Sequence, residues 1–129
     1  IYTPHAGEFS RIFAKEPPSD LAARGRLVRA SSEGATVLLK GHVDVISDGS
    51  RVRFNDTGHP AMTTGGTGDV LAGITGALFC RLPAFDAACI AAFVSGNAGA
   101  AAARVQGNGL VASDLLEYIP SELYWSGEE

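Results

Sequence analysis

The 129-residue chain carries 10 Lys and Arg residues against 14 Asp and Glu residues, and 46% of it is hydrophobic. A chain of this size forms one domain or part of one, and its net charge of −4 argues against a nucleic-acid partner, which requires a basic surface. No apolar run approaches the roughly 20 residues of a membrane span, and two Cys residues without Cys-x-x-Cys spacing favour reduced thiols in a cytoplasmic protein.

The first third of the chain predicts a strand end followed by two helices. Residues 1–2 have the pattern of a strand that runs into a loop, and residues 8–13 predict a short helix. A second helix is predicted from residue 21, with Ser19 or Asp20 as its N-cap and a glycine after its end. The chain also opens with Ile instead of Met, which suggests a piece of a longer polypeptide.

Residues 36–39 form a continuous apolar run, the pattern of a strand that is covered on both faces in a parallel sheet. Lys40 and Gly41 follow at its carboxyl end, where ligands bind in open α/β sheets. A lysine at this place can neutralise a nucleotide phosphate or can simply be a surface residue. The next residues, 43–54, alternate and turn like a β-hairpin.

A glycine-dense loop at residues 63–68 leads into a helix predicted from Asp69 to Leu82. Glycine lets a ligand approach the backbone closely, and the unpaired amides and dipole of a helix start favour a phosphate. We therefore predict an anion site formed by Gly66, Thr67 and Gly68. Asp69 has two interpretations: it is an N-cap of the helix, or a carboxylate placed beside a bound phosphoryl group.

The last third predicts two more helices. An alanine-rich helix over residues 84–105 is expected to pack inward through Phe85, Cys89, Phe93 and Val94, and its small residues 95, 96 and 99 to allow close helix contact. A final helix is expected after a cap at residue 113 or 114, and residues 126–129 are expected to fray. The three His residues lack metal-ligand spacing, so we predict no metal site within the protein.

Four segments occur in the order found in one enzyme family. The chain resembles the C-terminal half of the ADP-dependent NAD(P)H-hydrate dehydratases, members of the ribokinase-like superfamily. The matching segments are Thr-Pro-His-Ala-Gly-Glu-Phe at residues 3–9, Leu-Lys-Gly at 39–41, Asn-Asp-Thr-Gly-His-Pro-Ala-Met at 55–62 and Thr-Gly-Gly-Thr-Gly-Asp-Val-Leu-Ala-Gly at 64–73. The resemblance implies a three-layer α/β/α fold, of which residues 1–129 are the nucleotide-binding part and the N-terminal half is absent.

The resemblance also implies roles for individual residues. His5 matches a histidine that contacts the hydrated nicotinamide, Asp69 matches the catalytic base, and Gly68 lies in the anion hole. The nucleotide-binding segment carries over to Lys40, Gly41, His42, Val43 and Asp44.

The implied reaction is repair of hydrated NADH or NADPH. ADP or ATP phosphorylates the C6 hydroxyl of the ring, and loss of phosphate restores the double bond; Mg²⁺ is expected with the nucleotide phosphates. The alternatives are a small-molecule kinase of the same superfamily, for a vitamin precursor or a sugar, and a non-catalytic nucleotide-binding or assembly domain. Half a sheet exposes a strand edge, so we expect a partner, either the missing N-terminal half or another copy of the chain.

Overall fold

The structure, a computed structural model, describes residues 1–124. In this part of the chain, three short strands form the sheet on which the helices pack. β1 spans Val37–Leu39, β2 spans Asp44–Ser47 and β3 spans Val52–Asn55, in the order β1-β2-β3. Both neighbouring pairs are antiparallel, which confirms the predicted hairpin. The expectation for residues 126–129 lies outside the described residues.

The expectation that residues 36–39 belong to a parallel sheet is wrong for the pairing of β1 with β2. All of β1 is buried, as predicted, but its apolar run reveals burial on both faces and not the direction of its neighbour. The link from β1 to β2 is too short for the crossover of a dozen or more residues that parallel pairing needs. A parallel contact does occur on the other side of β1, where Tyr2 forms an isolated bridge with Val37.

Within residues 1–124, five α-helices and three 3-10 helices surround the sheet. The α-helices are α1 (Ala6–Phe13), α2 (Leu21–Ser31), α3 (Thr67–Phe79), α4 (Ala84–Gln106) and α5 (Ile119–Leu123). The 3-10 helices are Pro60–Met62, Gly107–Gly109 and Ala112–Glu117. The Asp20 carboxylate accepts the Ala23 amide at 2.7 Å, so the predicted cap of α2 is confirmed. The final helix differs from expectation, because residues 113 and 114 lie within a 3-10 helix and α5 begins later.

The core lies on both faces of the sheet because side chains along β1 alternate between them. Val37 and Leu39 pack with residues of α1 and α2, whereas Leu38 packs with residues of α3 and α4. The result is the predicted three-layer α/β/α arrangement. The carboxyl end of β1 lies close to the start of α3. The candidate site is between these two points.

Helix α4 is the most buried of the helices and differs from the prediction in one residue. Phe85 and Val94 are buried and Cys89 is partly buried, but Phe93 is 50% exposed. The 26-residue stretch Ala84–Gly109 is long enough to cross a membrane, and an 18-residue window within it has a mean hydropathy of 1.3, contrary to the expectation that no apolar run approaches that length. This is weak evidence for a membrane helix, because the core helices of soluble proteins have the same length and hydropathy and 56% of that window is buried.

The small residues of α4 contact a loop and the 3-10 helix Pro60–Met62, and not another α-helix. A Cβ at Gly96 would lie 2.8 Å from the Thr57 carbonyl carbon, and one at Gly99 would clash with Met62. The expected close contact therefore exists, but its partner is the segment that leads to the glycine-dense loop. This packing fixes that segment against the core.

We expect Gly96→Ala to lower the free energy of unfolding by roughly 1–3 kcal/mol, because the added methyl group meets backbone atoms that cannot move aside. Denaturant unfolding would measure the loss. Gly76→Ala is the matched control on α3, because nothing lies within 4 Å of a Cβ there. In that variant the better helix propensity of Ala should be neutral or stabilising by up to about 1 kcal/mol. Equal stability changes in the two variants would contradict the packing role of Gly96.

The turn between β2 and β3 contains an acid whose pKa is strongly lowered. Asp48 accepts the amides of Arg51 and Ser50 and the Arg51 guanidinium, all within 2.9 Å. The Arg51 amide is the largest cause, and together these bonds lower the Asp48 pKa to about 2 from 3.8. The ionised form of Asp48 is therefore the one that supports the turn.

A lowered pKa contributes stability above the unfolded value of 3.8, and that contribution is lost as the pH falls toward about 2. We expect the difference in unfolding free energy between the wild type and Asp48→Asn to be largest at neutral pH and to shrink across this range. Thermal unfolding at a series of pH values measures it. A difference that stays constant down to pH 2 would be inconsistent with this role.

Candidate functional site

Helix α3 begins at Thr67, two residues earlier than predicted. Residues 65–68, which form the start of the helix and the turn before it, are called the glycine turn below. Gly66 has φ = 93°, a left-handed conformation that favours glycine, and it is the N-cap. Asp69 is therefore the third residue of the helix, so its interpretation as the N-cap is wrong. The α3 helix also ends at Phe79, short of the predicted Leu82. No side-chain cap bond is present at this helix start, and Asp69 is exposed.

The backbone of the turn offers unused donors. The amides of Asp69 and Val70 both donate to the Gly66 carbonyl. Across residues 1–124, the preceding amides, those of residues 65–68, have no hydrogen-bond acceptor. These groups lie at the positive end of the α3 dipole, the arrangement that binds anions at helix starts. The Thr67 hydroxyl donates toward the carbonyls of Met62 and Thr64 at 3.1 and 3.2 Å, so its side chain holds the turn.

Lys40 at the end of β1 faces this turn. A Cβ on Gly68 would lie 3.0 Å from the Lys40 Nζ atom, so the absence of a side chain at Gly68 leaves room for the ammonium group. The same ammonium lies 3.8 Å from the Glu8 carboxylate. The predicted proximity of the strand-end lysine and the glycine-dense loop is thus present, with a carboxylate from α1 beside both.

His5 is the N-cap of α1. Its Nδ1 atom accepts the amides of Gly7 and Glu8, and its Nε2 atom lies 3.2 Å from the Glu8 carboxylate. Glu8 in turn accepts the His5 amide at 2.8 Å, the largest cause of its lowered pKa. This arrangement realises the loop or capping role that a histidine here can have. The substrate contact implied by the family resemblance stays a prediction.

Glu8 is a site residue that the sequence patterns described above do not predict. It reaches both His5 and Lys40, so it links α1 to the end of β1. The signal was present in the spacing of His5 and Glu8, which matches the N-cap and N3 positions of a capping box. Histidine is not among the usual capping residues, and the spacing is therefore easily overlooked.

Asp44 holds the loop after β1 in place. Its two carboxylate oxygens accept the Gly41 amide and the Asn55 side-chain amide, both at 3.0 Å. Burial raises the Asp44 pKa, and these hydrogen bonds together with Lys40 oppose the rise. Asp44 is thus brought to the predicted nucleotide segment, but both of its oxygens already have partners from this chain.

Two clefts meet at Lys40 and Gly68. The smaller cleft, of about 380 Å³, is lined by Asp69 and Gly66 together with Tyr2, Ile12 and other residues of segment 2–4 and of α1. The larger cleft, of about 750 Å³, contains most of the other predicted site residues. Those in the larger cleft are His5, Gly41, His42, Asp44 and Thr67. Lys40 and Gly68 line both clefts, and Val43 lines neither.

Comparison with solved structures identifies the class of protein to which this architecture belongs. An ADP/ATP-dependent NAD(P)H-hydrate dehydratase from Bacillus subtilis superposes with a TM-score of 0.81 over 93% of this chain and 46% of its own, at 27% identity. A hydroxyethylthiazole kinase from Pyrococcus horikoshii superposes with a TM-score of 0.68 over 96% of this chain and 49% of its own, at 25% identity. A glycine turn at a helix start, beside a strand-end lysine on this fold, defines a ribokinase-like α/β domain.

The sequence narrows this class to one family. Residues 1–121 match the family model described as NAD(P)H-hydrate dehydratase, and the chain belongs to that family. A bifunctional NAD(P)H-hydrate repair enzyme from Methanospirillum hungatei is 54% identical over all 129 residues. The chain spans only 24–43% of the length of the curated relatives it matches.

Proposed function

We propose that this chain is the nucleotide-binding part of an enzyme that repairs hydrated NADH or NADPH at the expense of ADP or ATP. One observation carries the proposal: unpaired backbone amides, the Lys40 ammonium and the Asp69 carboxylate surround the point where the two clefts meet. Donors for a phosphoryl group therefore lie next to a base for the attacking hydroxyl, which is what phosphoryl transfer requires. We place the activity in the cytoplasm.

In this proposal the nucleotide occupies the larger cleft, with its terminal phosphoryl group at the glycine turn. The hydrated nicotinamide lies in the smaller cleft, with its C6 hydroxyl beside Asp69. Asp69 takes the hydroxyl proton as the oxygen attacks phosphorus, and the bond to the leaving nucleotide breaks. Loss of phosphate from C6 and of a proton from the adjacent carbon then restores the double bond.

We infer that Mg²⁺ arrives with the nucleotide. Within residues 1–124 no group of three or more His, Cys, Asp or Glu side chains is suited to a metal ion. Asp44, a carboxylate of the larger cleft, has both oxygens occupied by Gly41 and Asn55. These residues therefore do not form a metal site by themselves, and the ion would be held chiefly by phosphate oxygens and water.

We also infer that another polypeptide segment completes the site. The smaller cleft is open along Tyr2 and Ile12, which are 49% and 51% exposed, and Tyr2 pairs with β1 through a single bridge. An N-terminal half like that of the longer relatives would cover this edge and supply further substrate contacts. A second copy of the chain is the alternative occupant.

The superposition with a hydroxyethylthiazole kinase favours one second candidate, a kinase that stops at the phosphorylated product. An assay of hydrated NADH with ADP or ATP and Mg²⁺ separates the two, because only the dehydratase restores the absorbance of the reduced cofactor. The assay is run with the chain alone and with the part of the Methanospirillum hungatei relative that this chain does not cover, expressed separately. Phosphorylation of an alcohol substrate without recovery of NADH would favour the kinase. Nucleotide binding without either reaction would leave a non-catalytic domain.

A further inference from the structure

Asn55 lies at the centre of a short chain of hydrogen bonds beneath the larger cleft. It is only 8% exposed and stands opposite Asp44 in the pairing of β2 with β3. Its side-chain nitrogen donates to Asp44 at 3.0 Å, and its side-chain oxygen accepts the Thr57 hydroxyl at 2.9 Å. Both ends of the Asn55 amide are therefore used.

The hydrogen bond from Asn55 to Asp44 fixes the loop after β1. Asn55 takes one Asp44 oxygen, and the Gly41 amide donates to the other. The Asp44 carboxylate is thus turned toward its own backbone and holds the residues that follow Lys40. Without the Asn55 donor, a partly buried carboxylate would lose a partner, which favours rotation toward water or toward Lys40.

On the other side of Asn55, Thr57 is held against α4. Thr57 packs against Gly96, and its hydroxyl also lies 3.4 Å from the Phe93 carbonyl. An ionised Asp44 carboxylate can only accept, so the Asn55 nitrogen faces Asp44 and the Asn55 oxygen is left to accept the Thr57 proton. Thr57 and Gly96 also line the larger cleft, as do Gly41 and Asp44.

We propose that Asn55 is a positioning residue for nucleotide binding: by holding the Asp44 carboxylate on the Gly41 amide, it sets the conformation of residues 40–44 before the nucleotide arrives. This inference rests on the proposed function, in which that segment contacts the nucleotide. Asn55 itself does not line either cleft. Its substitution should therefore weaken nucleotide binding by changing Asp44 and not by removing a direct contact.

Asn55→Asp tests this idea because the side chain keeps its shape, but the amide donor is replaced by a carboxyl group that can donate only when it is protonated. When both carboxylates are ionised they repel, and when the introduced group is protonated it can donate to Asp44 as the amide did. We expect its Kd for ADP to be roughly tenfold higher than that of the wild type at pH 8, about 1.4 kcal/mol, and to approach the wild-type value near pH 5. Isothermal titration calorimetry on the 129-residue chain measures both values.

Other titrating groups need a matched control. Lys40 is the charged side chain that acts on Asp44, and His42 and Asp56 line the same cleft. Asn108→Asp, at an exposed position in the Gly107–Gly109 turn, carries the same groups and the same added charge. The ratio of the two Kd values isolates the effect at Asn55, and a ratio independent of pH would overturn the proposal.

Amide hydrogen exchange at Gly41 is a second test that needs no ligand. We expect its protection to fall in Asn55→Asp at pH 8 and to be unchanged in Asn108→Asp, with thermal unfolding confirming that both variants are folded. Unchanged protection at Gly41 would also overturn the positioning role. A wild-type chain that binds no nucleotide would instead contradict the proposed function, while the Gly41 measurement still decides what Asn55 does.

Discussion

Asp69→Asn should reduce the rate of NADH recovery from its hydrate by something like 10²–10⁴-fold, the contribution of a positioned general base. The amide has nearly the same size as the carboxylate but cannot accept a proton. Asp69 is exposed and makes no cap bond at the start of α3, so the substitution removes no hydrogen bond that holds the helix start. The rate is followed by the absorbance of the reduced cofactor, at saturating nucleotide and under the conditions in which the wild type is active.

The affinity for nucleotide should be largely retained in Asp69→Asn, because the proposed phosphate donors are backbone amides. Glu33→Gln is the matched control, since it replaces an exposed carboxylate that lines neither cleft. Its turnover should equal that of the wild type. Normal turnover of Asp69→Asn would remove the base from the mechanism, whereas loss of nucleotide binding would show that Asp69 acts on the nucleotide and not on the hydroxyl.

Lys40→Met should raise the Kd for adenine nucleotide by roughly 10- to 100-fold. The substitution keeps a side chain of similar length but removes an ammonium group beside the unpaired amides of the glycine turn. A hydrogen bond to a charged group contributes about 1.5–3 kcal/mol, and every 1.4 kcal/mol is tenfold in affinity. Calorimetric titration with ADP measures the change, and the salt dependence of binding should decrease at the same time.

The second lysine of the chain provides the control for this prediction. Lys15 is exposed in the segment between α1 and α2 and lines neither cleft. Lys15→Met loses the same charge and should bind ADP as the wild type does. If both variants lose affinity equally, the overall charge of the chain and not Lys40 governs binding. If neither does, the larger cleft is not where the phosphates lie.

The sequence predicts local features of the fold well and strand direction poorly. The hairpin of β2 and β3, the Asp20 cap and the span of α4 follow from patterns within a few residues of one another. The direction of the strand paired with β1 depends on the route of the chain after Lys40, which an apolar run does not encode. The outward position of Phe93 likewise depends on how α4 meets β3 and the segment after it, because helix periodicity alone does not set that rotation.

The candidate site was predicted as a set of residues but not as a set of contacts. Lys40 and the glycine turn lie together as expected, because both follow from a strand end and a helix start. That the Asp44 carboxylate and the His5 imidazole are used by their own backbone depends on bonds to Gly41 and to Glu8, which carry no periodic signal. The position of Asp69 within α3, two residues past the helix start, follows from the left-handed φ of Gly66.

The wall shared by the two clefts consists of Lys40 and Gly68. A larger side chain at either position takes space from both clefts at once, and a smaller side chain at position 40 widens the connection between them. In the reaction proposed above, a change made at this wall to fit a different phosphoryl donor would therefore also alter the space left for the acceptor. Changes confined to one cleft have to be made at residues that line only that cleft, such as Ser95 in the larger and Ile12 in the smaller.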